Sequence, residues 1–149
     1  MATIKKINKD ITINAQSRQT NTCKQWPTFS LLYMTTNNNY NFNYFKASQQ
    51  SERINVTANV FKKLFDISCQ DWKYWYGLDK YNGIETIPFN RVFVSPQGIT
   101  LTDDEKVIVF RFKGSNTKEY RILGFRRNSC PTLHIFAFDF DFTAYKHGK

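Results

Sequence analysis

Between Lys106 and Tyr145 the chain carries three runs rich in aromatic and β-branched residues: Lys106 to Lys113, Lys118 to Arg127 and Thr132 to Tyr145. They are joined only by the four-residue stretches GSNT and NSCP. A crossover to a parallel neighbour needs a dozen or more residues, so connections this short make the three runs adjacent antiparallel strands. The 14 Phe and 8 Tyr of the chain fit that reading, because aromatic side chains favour a pleated surface. After Gly83, Ile84 to Val94 reads as a further strand. Pro88 within it cannot donate to a ladder, which places that strand at an edge or beside a bulge. Ser95-Pro96-Gln97-Gly98 is a turn. The C-terminal half is therefore a meander of three or four strands.

Helical spacing is confined to the middle of the chain. Val56, Val60, Phe61, Leu64 and Phe65 recur at that spacing after Asn55, a good cap, with Lys62 and Lys63 on the opposite side. Ser68, with Asp71 three residues on, resembles a capping box; Trp72, Trp75 and Tyr76 follow, and Gly77 can end the helix. Two short helices are expected, Val56 to Phe65 and Cys69 to Tyr76. Earlier still, Thr28 to Met34 and the alternating Tyr40, Phe42 and Tyr44 flank Asn37 to Asn39, the pattern of a β-hairpin. Residues 1–27 alternate weakly, as at Ile11 and Ile13, and read as an arm or edge strand. The expected fold class is α+β: an N-terminal β-hairpin, two short helices and a C-terminal antiparallel β-sheet. At 149 residues the chain reads as a single domain, 1–149. Within it, 1–50 form a hairpin and arm extension, and 51–149 form the helices and sheet core.

The 21 Lys and Arg against 12 Asp and Glu give a net charge of +9, a field that attracts polyanions. Residues 1–63 carry nine basic and two acidic side chains, and Lys106 to Arg127 carries seven basic against Glu119 alone. Nucleic acid is the first partner this implies, an acidic protein the second. No apolar run approaches the roughly 20 residues of a membrane span, and MATIKKINKDITIN has no apolar signal-peptide core, so a cytoplasmic protein is expected with no membrane partner. Cys23, Cys69 and Cys130 are odd in number and lack metal-ligand spacing, which makes them free thiols. No metal or other cofactor is expected: phosphate-binding glycine loops, HExxH, GxSxG and the Cys/His deaminase pattern are all missing. Asp139-x-Asp141 could share one Mg²⁺, but no third carboxylate stands near in sequence.

Strand periodicity divides the last run into two faces. His134, Phe136, Phe138, Phe140 and Phe142 share one, which is core, and His134 there reads as a buried histidine satisfied by one hydrogen bond. Asp139, Asp141 and Tyr145 share the other, with His147 just beyond. Arg121 sits on a face with Leu123 and Phe125, and Arg111 and Lys113 on a face with Val107 and Val109. A guanidinium on a sheet surface matches phosphate oxygens bidentately, but Arg121 can equally pair with Asp139 or Asp141 as a structural salt bridge.

Phe110-Arg111-Phe112, a short hairpin, Glu119-Tyr120-Arg121-Ile122-Leu123, and Ala137 through Tyr145 together resemble the end of the RelE/HigB/ParE toxin superfamily. That family closes on an Arg-hydrophobic strand, a D/E-Y-R-I/V strand, and a last strand with a tyrosine about eight residues after an alanine. About 40 residues carry the likeness, and two helices precede them as they do in the family. The resemblance implies helices against a twisted antiparallel sheet and metal-independent mRNA cleavage, often on the ribosome, by attack of a 2′-hydroxyl. It also implies an acidic antitoxin partner. Carried over, Arg121 would stabilise the phosphate charge, Arg111 would assist it or bind backbone, and Tyr145 would orient the scissile nucleotide. Phe140 and Asp141 stand where the family often has His-Arg, which leaves Asp139, Asp141 or His147 for the acid and base roles. Lys113, Lys118, Arg126 and Arg127 would join Arg111 in nucleic-acid binding. Two further readings fit the composition. One is a single-strand binding module stacking bases on Trp26, Tyr33, Tyr40, Phe42 and Tyr44. The other is a mobile-element inhibitor that occupies a nucleic-acid enzyme without catalysis.

Overall fold

The computed structural model describes residues 26–114, 117–128 and 130–146. Ile11, Ile13, Cys23 and His147, and with them residues 1–25 of the arm expected over 1–27, lie outside the described residues. The elements run β1 (Thr28–Ser30), α1 (Gln50–Ser68), α2 (Trp72–Gly77), β2 (Ile84–Pro88), β3 (Lys106–Lys113), β4 (Glu119–Phe125) and β5 (Thr132–Asp139). They build one five-stranded sheet in the order β1-β5-β4-β3-β2, so the fold is mixed α+β. Strands β2 to β5 form the expected antiparallel meander, with Lys113 opposite Glu119 and Arg121 opposite both Arg111 and Asp139. Pro88 closes β2 on the sheet edge, where its missing N–H costs no interior hydrogen bond.

The N-terminal hairpin is a correction. Thr28–Ser30 pairs in parallel with β5, Thr28 against Thr132 and Ser30 against His134, which makes the sheet mixed. Asn38–Tyr40 and Phe42–Tyr44 are short 3₁₀ turns, not a returning strand. Asparagine chemistry explains this: the side chains of Asn37 and Asn41 accept from Asn39 N and Asn43 N and cap each turn locally. Tyr40 is buried against the helix-free face of the sheet, and Phe42 and Tyr44 pack against the core on the helix face.

Helix α1 starts five residues before Asn55, led in by a 3₁₀ turn in which the Gln49 side chain accepts from Lys46 N at 3.1 Å. Val56, Val60 and Ile67 bury one side of it against Ile108, Phe110, Tyr120 and Ile122. Phe61 and Phe65, expected on that buried side, are 65% and 67% exposed. The α2 cap is Asp71 itself, accepting from Tyr74 N at 2.7 Å, while Ser68 Oγ donates to Phe65 O within α1. Trp72 and Trp75 anchor α2 by donating from their indoles to Pro131 O and Ile67 O, both at 2.9 Å.

The other face of the sheet is covered by irregular chain, with Val94 and Leu101 packed on Val107, Val109 and Leu123. Strand β5 does not keep the strict alternation read from sequence. Leu123 pairs with Ala137 but Gly124 pairs with Ile135, leaving Phe136 as the extra residue of a bulge. Beyond it Phe138 and Phe140 lie on the helix face with Leu133 and Ile135, whereas His134, Phe136 and Ala137 lie on the other. The strand ends at Asp139; the chain then bends, with Phe142 at φ 63°, and Tyr145 bridges back to Val92.

Candidate functional site

On the helix-free face the registers of β2 to β5 draw a row of charges together. Arg111 lies opposite Arg121, Arg121 opposite Asp139, and Glu85 of β2 opposite Val109. Side-chain periodicity places all four on the same face. Arg121 and Asp139 are completely buried and pair at 3.2 Å, and the N–H groups of Thr143 and Ala144 donate to the Asp139 oxygens at 3.0 and 3.2 Å. The Arg121 guanidinium lies 3.6 Å from the centre of the Phe142 ring and 4.3 Å from that of Tyr145. Phe142 reaches this position only through its left-handed backbone, a conformation bulky side chains avoid.

Next to this pair, Glu85 Oε2 accepts from Arg111 Nη2 at 2.9 Å and from the Tyr145 hydroxyl at 2.7 Å. Glu119 approaches Arg111 at 3.9 Å. Burial alone would raise the Glu85 carboxyl, but hydrogen bonds from Tyr145 and Arg111 outweigh it and hold the group below its ordinary value. Burial and the bond to Glu85 push the Tyr145 phenol far up, which suits a donor and not a base. The cluster more than matches its cations: the two guanidiniums Arg111 and Arg121 face three carboxylates, Glu85, Glu119 and Asp139.

The predicted catalytic residues Arg121, Asp139 and Tyr145 thus converge, together with Arg111. Asp141 does not join them; it is exposed and accepts from Thr143 Oγ1 at 2.6 Å. The predicted phosphate-binding residues are split between the two ends of the sheet. Lys113 and Lys118 are exposed beside the β3–β4 turn. At the other end, Arg126 stacks over Trp72 at 4.1 Å and Arg127 pairs with Glu105 at 3.3 Å. Glu85 went unnoticed in sequence, because the 17-residue connection from β2 to β3 hides which residues the two strands pair. His134, expected to be buried, is half-buried and ringed by Tyr33 and Phe125, each 5.2 Å away, and its Nδ1 has no hydrogen-bond partner among the described residues.

Two concave features open elsewhere. Lys62 and Lys63 of α1 meet Lys113 of β3 around a cleft of 230 Å³ that Asn59, Asp66 and Phe112 complete. Burial lowers the Lys63 ammonium, with Asp66 opposing, and it sits 5.3 Å over the Trp75 ring. A wider groove of 510 Å³ has Trp26, Tyr74 and Lys73 among its walls. Of the expected stacking platform only Trp26 is exposed there, since Tyr33, Phe42 and Tyr44 pack on the core. Among the described residues no group of three His, Cys, Asp or Glu side chains is placed to hold a metal ion, and no helix is long and apolar enough to cross a membrane. No family model, curated protein or solved structure matches the chain.

Proposed function

We propose that this protein binds nucleic acid by its basic exterior, without cutting it. One contrast carries the reading. The charges placed for phosphate chemistry are buried and matched by carboxylates, whereas Lys62, Lys63 and Lys113 converge on an open cleft with Asp66 as its one carboxylate. Ammonium groups act there as point charges suited to sequence-independent backbone contact, and the Asn59 amide supplies a neutral donor. Release of counterions from the nucleic acid drives such binding, so affinity falls steeply with salt.

The test is fluorescence anisotropy on single-stranded RNA over a salt series. Replacing Lys62 and Lys113 by Gln should lower the slope of log affinity against log salt by about 1.4, two contacts at about 0.7 each. An unchanged slope removes the cleft from the interface. A metal-independent ribonuclease of the toxin type is the second reading, favoured by the convergence of Arg111, Arg121 and Tyr145 on the face away from the helices. It requires Phe142 to leave Arg121. Intact RNA after prolonged incubation is the expected result; cyclic-phosphate ends made by the wild type and lost in Arg111→Ala would replace the binding proposal with this one.

A further inference from the structure

Helix α1 has two apolar sides, and only one is packed in the fold. Val56, Val60 and Ile67 meet the sheet, while Ile54, Phe61 and Phe65 are 59%, 65% and 67% exposed. At about 100° per residue, Ile54, Ala58, Phe61 and Phe65 fall within an arc of roughly 60° on the side away from the sheet. Their spacing of four, three and four is that of a seam between paired helices. Each ring leaves about two-thirds of its roughly 150–250 Å² uncovered, so the stripe reaches the size at which surface patches act as interaction sites.

We propose that the occupant of this stripe is a second copy of the chain, its α1 lying antiparallel to the first. The stripe complements itself in that arrangement alone. With the helices crossing between Asn59 and Val60, Ala58 faces Phe61 of the second copy and Ile54 faces Phe65, so large side chains fill the space beside small ones. A parallel pairing would set Phe61 on Phe61 and Phe65 on Phe65 and leave a gap at Ala58. The residues flanking the seam fit the same partner. Asn55, Thr57 and Gln50 are uncharged, and Lys62 would lie opposite Asn55, so no charge pattern selects a foreign acidic helix. Nor do basic residues line both flanks as on a helix that lies in a membrane surface. The two-fold axis makes the contact closed, limiting it to two copies. The exposed apolar stripe amounts to roughly 300–500 Å² per partner, below the roughly 800 Å² of a standard interface, which sets a weak, reversible dimer.

Sedimentation of the full chain tests this independently of any nucleic acid. The mass should rise from 17.6 kDa toward twice that over roughly 1–100 µM. Phe61→Glu with Phe65→Glu should keep it at one chain, with circular dichroism and Tm unchanged because neither ring belongs to the core. Ile54→Glu gives the same readout should that pair misfold. Orientation is read by mild oxidation and peptide mapping. Antiparallel helices hold the two Cys69 residues about 28 Å apart, so no Cys69–Cys69 link should form. A single-chain mass at every concentration overturns the proposal, as does a dimer indifferent to both sets of variants, and a Cys69–Cys69 link overturns the antiparallel arrangement.

Discussion

Arg121 shows what a charged residue on a sheet becomes when a carboxylate and two aromatic rings enclose it, even with a second arginine, Arg111, directly opposite. Asp139 neutralises it, two backbone N–H groups hold that carboxylate from the other side, and two aromatic rings cover the guanidinium. Removing one member of a buried pair leaves the other charged and unmatched, so Arg121→Ala should cost about 3–5 kcal/mol, measured as a drop in the urea midpoint. Arg121→Lys should rescue little of this, since an ammonium lacks the flat face on which Phe142 lies. A midpoint unmoved by Arg121→Ala would show the pair to be dispensable. Glu85 gives a separate prediction. Its carboxyl is held below the ordinary value, so as the pH falls the unfolded chain takes up that proton first. The stability it contributes is present above about pH 4.3 and is lost as pH falls through the lower folded value. Glu85→Gln should therefore be less stable than the wild type at neutral pH and flatten the acid limb, which thermal melts across pH 2 to 7 would resolve.

At the level of elements, the bulge in β5 decides which side chains reach the helix-free face. Gly124 lies at the register shift, and a Cβ there would come within 2.7 Å of Leu133 Cδ1 and 2.9 Å of His134 O. Gly124→Ala should cost about 1–3 kcal/mol by overpacking, seen as a lower Tm with an unchanged circular dichroism spectrum. No loss would mean that the strands slide apart freely. The same bulge marks the limit of what could be read from residues. Alternation located β3, β4 and β5 because their contacts are local and their connections short, and Pro88 announced an edge. It misassigned the faces of β5 because one extra residue inverts the pattern beyond it. Helical periodicity found α1 but not its first turn and a half, which is polar, and could not tell which of two apolar sides meets the sheet. Arg121 with Asp139 was visible as a possible pair; Glu85 was not, since only long-range register brings it there. The Asn-rich stretch alternated like a strand, yet its side chains cap their own backbone.

Over the whole molecule, charge is distributed unevenly between the sheet core and the chain's first segment. Residues 1–25 hold five basic side chains and one acidic, four units of the net +9. If they share in the binding proposed above, changing Lys5, Lys6 and Lys9 to Gln should lower the salt slope on single-stranded RNA by about 2. An unchanged slope would confine the contact to the folded surface. The parallel pairing of β1 with β5 bears on how the molecule is made. Thr28 and Thr132 touch at 2.9 Å across 104 residues of sequence. At about 5–20 residues per second, β1 waits roughly 5–20 s for its partner to be synthesised. Until then β4 has no neighbour on that side, and a nascent chain halted before Thr132 displays the open edge to whatever strand comes near.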